Sequence, residues 1–268
     1  MTALAEDQPL TLDSLQRGRL SLFQPQRGYR FNLDSVVLGA VALGYLGQGP
    51  VVDAGAGCGV VGLYLAAHGA TQVLLVERQA QMARLAWRNV AHNRLQDRAA
   101  VLHADFRSMP LRDHSVALMV SNPPYLAPGG GRHSPRPQRA LSIHSVHGGM
   151  PEVLSEAHRV LSPGGHLVVV GPGGSANYHS EMNMLRVIKL APRADAQASR
   201  QVVVWSRNRC GETVTEHRDV HESGGGFSPW LRDVLEGRRA SVEQPASAPA
   251  PTQDHAQQEP GRGGGRGA

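Results

Sequence analysis

From residue 50 onward, short runs of consecutive apolar residues alternate with longer segments in which apolar positions recur every three or four residues. PVVDA (50–54), QVLLVE (72–77), AAVLHAD (99–105), SVALMVS (115–121), HLVVVG (166–171) and RQVVVWS (200–206) read as buried strands, because they are short, rich in β-branched residues and bounded by polar or glycine turns. Between them, VVGLYLAAHG (60–69) reads as a helix stopped by Gly69. RQAQMARLAWRNVAHNRL (78–95) reads as an amphipathic helix with Met82, Leu85, Ala86 and Val90 on one face. PEVLSEAHRVLSPGG (151–165) carries proline at its start and glycine after its end, so a helix is predicted there, and another near 177–190. Strands alternating with helices predict an α/β fold, a parallel sheet with helices on both faces.

The flanks divide the chain into three parts. Residues 1–49 precede the first core strand as an amino-terminal extension, residues 50–240 form the domain, and residues 241–268 are a tail. That tail, SVEQPASAPAPTQDHAQQEPGRGGGRGA, lacks apolar periodicity and is expected to be disordered. Its last eight residues can be read as an arginine-glycine arm touching RNA or, more simply, as a solvated terminus.

Composition narrows the class. At 41% hydrophobic and 18% charged residues, the chain reads as a globular domain able to bury a sizeable core. The start, MTALAEDQPL, has neither a basic region nor an apolar core, and no apolar run approaches bilayer length, so no secretory signal or membrane span is expected. Cys58 and Cys210 suggest neither a disulfide framework nor a metal site, and a reducing cytoplasm fits them best. The formal charge of +5 permits a polyanionic partner without demanding one. Lys189 is the sole lysine, so nearly all positive charge is arginine, which base composition or phosphate recognition could each explain.

Candidate chemistry begins at VVDAGAGCGVVGL. Asp53 closes the first core strand, and Gly55, Ala56, Gly57 and Gly59 lead into a helix, where small residues admit a ligand to the backbone and free N–H groups await it. The spacing G-x-G-x-G after an acid differs from the G-x-G-x-x-G of dinucleotide sites. Glu77 ends the second strand, where an acid can hold ribose hydroxyls or alternatively cap the following helix. Asp105 and Phe106 end the third strand, and Asn122 ends the fourth. Open α/β sheets bind ligands along that carboxyl edge, so the set is more specific than any member.

After Asn122 come Pro123, Pro124 and Tyr125. Prolines end a strand whatever else they do. Here they also make a rigid cradle: the Asn122 side-chain oxygen and the Pro123 carbonyl can accept the hydrogens of a planar amine, and Tyr125 can stack on its ring.

The acid-and-glycines segment resembles motif I of the class I S-adenosylmethionine methyltransferases. Taken with SNPPY, with LTLDSLQRGRLSLFQPQRGYRFNLDSVVLGAVA (10–42) before the core and NRCGETVTEHRDVHESGGGFSPWLRDVLEGR (208–238) after it, the chain resembles the bacterial valine-tRNA adenine-N6 methyltransferase family. That resemblance implies a Rossmann-like, doubly wound, mostly parallel seven-stranded sheet. It implies S-adenosylmethionine held by Asp53, Gly55, Ala56, Gly57, Gly59, Glu77, Asp105, Phe106 and Asn122. It also implies that Gly28, Tyr29, Arg30, Phe31, Asp34 and Ser35 form an element closing over the cofactor, with Arg30 and Asp34 as contacts. The implied substrate is tRNA adenine; methyl transfer itself needs no metal, and a monomer is expected. The N-P-P-Y motif is shared with enzymes that methylate glutamine in release factors, but those usually carry a helical amino-terminal domain where only about 50 residues stand here. A small-molecule N-methyltransferase using the same cradle is the other alternative. Arg132, Arg136 and Arg139, in the loop after Tyr125, are candidates for tRNA phosphates, whereas His133, His144 and His147 lack ligand spacing and read as polar loop residues.

Overall fold

A computed structural model of the chain describes residues 9–27, 30–123, 149–178, 180–208 and 211–238. An antiparallel hairpin opens it: β1 (Leu10–Leu15) pairs with β2 (Leu20–Pro25) in the register Leu10 to Pro25 and Leu15 to Leu20. The turn between them carries Gln16 and Arg17 at positive φ. Helix α1 (Leu33–Ala42) follows, and Asn32 caps it by accepting the Ser35 N–H. Eight of its ten residues are buried, as befits a helix packed on more than one side.

The central sheet holds β3 (Val51–Ala54), β4 (Val73–Glu77), β5 (Ala99–His103), β6 (Val116–Ser121), β7 (Leu161–Pro172), β8 (Asn183–Ala191), β9 (Arg200–Ser206) and β10 (Val214–Asp219). Their order is β10-β8-β9-β7-β6-β3-β4-β5. Only β9 runs antiparallel to its neighbours, β7 and β8. Helices α2 (Val60–Ala67), α3 (Ala80–His92), α4 (Met150–Val160) and α5 (Pro229–Leu235) are the other α-helices among the described residues. Successive strand residues feed opposite faces: Leu118 and Val120 join the core beneath α1 and α2, whereas Met119 joins the core beneath α4.

Three expectations are corrected. The segment near 177–190 is largely strand β8, not helix, because Val187 and Ile188 are both buried between β9 on one side and β10 on the other. Helix α4 stops at Val160 rather than 165, since Leu161 already pairs with Val116 and the ladder shifts register before Leu118. Among the described residues the sheet has eight strands instead of seven, for β10 adds itself in parallel to the β8 edge. Beside that ladder, Arg186, 3% exposed, is ion-paired to Glu216 on β10, which also accepts from Arg218 at 2.8 Å.

The chain lays down β3, β4 and β5 to one side, then returns to place β6 on the other side of β3. The sheet's switch point, where open α/β sheets bind ligands, therefore lies between the ends of β3 and β6.

Candidate active site

At the end of β3 the backbone turns sharply on glycine. Gly55, Gly57 and Gly59 have φ of 77°, 57° and 91°, the left-handed region that other residues enter at a cost. The Gly55 and Ala56 N–H groups both donate to the Val76 carbonyl at 2.9 and 3.0 Å, which fastens the turn to β4. A Cβ on Gly59 would stand 2.7 Å from Leu75 Cδ2, so packing and conformation both exclude a side chain there. In front of Gly55 no atom lies within 4 Å of such a Cβ, and its bareness leaves room for a ligand.

Two carboxylates brace this turn. Asp53, 1% exposed, accepts the Gly62 N–H at 2.8 Å and so fixes the first turn of α2. Burial pushes its pKa up to about 7. Its side chain is turned into α2, so it supports the cofactor cradle from beneath instead of lining it. Glu77 stands at the end of β4, accepting the Gly57 N–H at 2.8 Å and the Gln79 N–H at 2.7 Å. Burial raises its pKa as well.

Asp105 caps the turn after β5 by accepting the Arg107 N–H at 3.0 Å, and pairs with the Arg107 guanidinium at 2.6 Å. Those bonds to Arg107 hold its carboxyl below the usual range. Phe106 beside it is buried under the edge of the sheet.

On the other side of the switch point, Ser121 Oγ donates to the Ala54 carbonyl at 2.8 Å and locks the end of β6 to the end of β3. The next residue, Asn122, donates from Nδ2 to Ser35 Oγ at 3.0 Å. Ser35 is 2% exposed on the first turn of α1, so the amino-terminal extension reaches the site and orients this amide. Pro123 follows, buried.

The structure thus brings Asp53, Gly55, Ala56, Gly57, Gly59, Glu77 and Asn122 together at one edge, with Asp105 and Phe106 two strands from β3 along it. Besides Asp53, which bonds to α2, two more expected cofactor contacts turn elsewhere. Arg30 donates to Asp13 at 2.7 Å and to Thr11 at 2.6 Å, bonds that tie it to the hairpin. Asp34 accepts from Arg200 Nε at 3.2 Å, and faces β9 in place of the glycine turn. Gly28, Tyr29, Pro124, Tyr125, Arg132, Arg136, Arg139, His133, His144, His147 and Cys210 lie outside the described residues.

One supporting residue escaped the sequence reading. Asn89, fully buried on α3, accepts the Phe23 N–H at 2.7 Å and donates to the Phe23 carbonyl at 3.0 Å and the Cys58 carbonyl at 2.9 Å. It pairs with β2 as a strand would, and pins the glycine turn with the same amide. Asn93, one turn later, does likewise with Ser21 at 3.0 and 2.8 Å. The available signal was an asparagine pair spaced i, i+4 beside the apolar face of Met82, Leu85, Ala86 and Val90.

Where these groups meet decides the class: a doubly wound sheet with a bare glycine turn on β3, a buried acid on β4 and an amide on β6 is that of a class I methyltransferase. Its cofactor is S-adenosylmethionine, and the residues fit it. The open backbone at Gly55 admits close approach, and Glu77 ends β4 beside the glycine turn, the position at which open α/β sheets place an acid for ribose hydroxyls.

The pattern defining the methyltransferase small domain family matches residues 40–189, more than half of the chain, and the chain belongs to that family. It is 29% identical over 195 residues to a tRNA1(Val) (adenine(37)-N6)-methyltransferase of Aeromonas salmonicida, covering 66% of this chain and 77% of that one. A protein of the same name from Porphyromonas gingivalis is 28% identical over 237 residues, covering 79% and 89%. Among solved structures, a predicted O-methyltransferase from Agrobacterium tumefaciens superposes with a TM-score of 0.60 at 23% identity, over 76% of this chain and 96% of that one. The M. jannaschii tRNA m1G37 methyltransferase superposes at 0.54 with 13% identity, over 76% and 59%. These likenesses support the fold.

Proposed function

We propose that the chain transfers the methyl group of S-adenosylmethionine to the exocyclic N6 of an adenine in RNA, with a tRNA adenine beside the anticodon as the favoured substrate. The observation that carries this reading is Asn122, set at the switch point beside the glycine turn and held by Ser35. The exocyclic amine of adenine is a poor nucleophile because its lone pair is delocalised into the ring. With its hydrogens gripped by the Asn122 side-chain oxygen and the Pro123 carbonyl, the lone pair is directed at the methyl carbon. The nitrogen–carbon bond forms as the sulfur–carbon bond breaks, and the alkylated nitrogen then loses its proton to water. No metal is called for, and among the described residues no cluster suited to one is present. Nor is any described helix long and apolar enough to cross a membrane. A monomer acting in the cytoplasm completes the proposal, and the names carried by the similar proteins support its substrate.

The test is incubation with labelled S-adenosylmethionine and unmodified tRNA, with release factor in parallel, followed by nucleoside analysis. Label recovered as N6-methyladenosine is the expected result. Label in protein alone would make glutamine the acceptor and overturn the RNA reading.

A further inference from the structure

The carboxyl edge of the sheet carries a second concavity, on the far side of Asn122 from the glycine turn. Its volume is about 330 Å³, and it lies between the first turn of α1, the ends of β8 and β9, and the segment that follows β10. Sheet order fixes its position relative to the chemistry: the glycine turn is on β3, Asn122 on β6, and the cavity two and three strands further on. At a strand spacing of about 4.8 Å, β9 stands roughly 10 Å from β6. Helix α1 joins the two places, since Ser35 bonds to Asn122 while Asn32 and Asp34 line the cavity.

Cofactor groups lie on the other side, at β3, β4 and β5, so a cavity here faces the substrate. Small-molecule sites span about 300 to 1,000 Å³, which makes this one the right size for a single small planar group. Val37 and Leu190 give it an apolar floor. One wall bears His221, whose ring stacks on Phe227 with centroids 5.4 Å apart and planes 25° apart. Phe227 itself is a large apolar side chain left 41% exposed. The opposite rim carries Arg200, aimed by its bond to Asp34 and by a second bond from Nη1 to the Ser199 carbonyl at 3.1 Å. An apolar floor, an aromatic wall and a positioned guanidinium are what an unstacked nucleobase is bound by.

The wall is also a deliberate addition to the sheet. The segment after β10 continues its pairing, with Val220 N–H donating to the Ala191 carbonyl at 2.9 Å and His221 N–H to the Pro192 carbonyl at 3.1 Å. Ser228 Oγ closes the loop on the Asp219 carbonyl at 2.6 Å. The extra strand therefore delivers His221 to the rim of the cavity.

We propose that this cavity receives the nucleotide next to the target adenine, its base resting against His221 and its edge or phosphate bonded by Arg200. The proposal rests on the RNA reading above and names the part of the substrate that a second site holds. Such a contact explains how one adenine in a loop is chosen among others, because Asn122 alone recognises any planar amine.

The test uses the full chain and an RNA stem-loop that it methylates, together with versions in which the base on either side of the target is replaced by an abasic ribose. Stacking of one base is worth roughly tenfold or more in kcat/KM, so one abasic substrate is expected to lose that factor with the wild type. With His221→Ala or Arg200→Ala the same abasic change is expected to cost little further, while His221→Phe, which keeps an aromatic face, restores the sensitivity. Cofactor affinity and thermal midpoint, measured alongside, are expected to stay unchanged. Losses that simply multiply, with each variant as sensitive to the abasic site as the wild type, would overturn the subsite and leave the RNA reading intact. Absence of methyl in every RNA would overturn both.

Discussion

Asn122 Nδ2 and Ser35 Oγ are 3.0 Å apart, though 87 residues separate them in the chain. The bond joins the residue proposed to cradle the substrate amine to a helix that precedes the central sheet. Helix α1 therefore orients the Asn122 amide, and under the proposed function the amino-terminal extension acts on the reaction through that amide.

Ser35→Ala removes that bond without emptying the core. A neutral hydrogen bond is worth about 1 kcal/mol, so kcat is expected to fall roughly fivefold, with cofactor affinity unchanged. Steady-state kinetics beside a cofactor titration decide the point. A loss confined to cofactor binding would place Ser35 on the wrong side of the site.

Asp53 predicts a pH dependence. Its carboxyl titrates at about 7 when folded, against an ordinary value near 3.8, so the buried charge disfavours folding progressively as pH rises from about 4 to 7. Asp53→Asn keeps the acceptor for Gly62 and removes that charge. Its urea midpoint relative to the wild type is expected to rise between pH 4.5 and pH 8, by an amount on the order of a few kcal/mol in stability. A difference that is flat with pH would mean that Asp53 is not buried as a titrating acid.

Asn89→Ala leaves the Phe23 N–H and two carbonyls without their partner. Each unsatisfied buried group costs about 1 kcal/mol or more, so a loss of roughly 3 kcal/mol is expected in chemical denaturation. Cofactor affinity is expected to fall as well, since the same amide pins the Cys58 carbonyl of the glycine turn. Unchanged cofactor binding would separate the hairpin from the site.

Glu216→Ala removes the ion-pair partner of the buried Arg186 guanidinium and is expected to destabilise the fold by about 3 kcal/mol. Replacing both residues, as in Arg186→Met with Glu216→Leu, is expected to recover much of that loss, because an apolar pair carries no desolvation cost. Equal losses in single and double variants would show that the loss comes from the missing ion pair itself and not from an uncompensated buried charge.

Much of this was legible in the sequence. The strands ending at Asp53, Glu77 and Asn122 announced themselves as β-branched runs, and the amphipathic period of α3 and the glycines after Asp53 were plain. What escaped was non-local. Strand β8 reads NMLRVIKLA, and Arg186 within it looks like a helix surface residue until Glu216, thirty positions later, neutralises it. Strand β10, VTEHRD, shows no apolar face because it sits at an edge, where charged side chains remain partly open to solvent. Positions along the carboxyl edge could be read, but side-chain directions could not: Asp53 turns into α2, Arg30 to Asp13 and Asp34 to Arg200. Each of those partners was chosen by packing that no local pattern encodes.

The most direct measurement compares wild type and Asn122→Ala for methyl transfer to unmodified tRNA and, separately, for S-adenosylmethionine affinity. Turnover to N6-methyladenosine is expected to fall by about two orders of magnitude or more in the variant while the cofactor dissociation constant stays within roughly a factor of two, as for a group that acts in the transition state alone. Retained turnover, or cofactor binding lost in proportion to it, would contradict the assignment of Asn122 as the residue that holds the reacting amine.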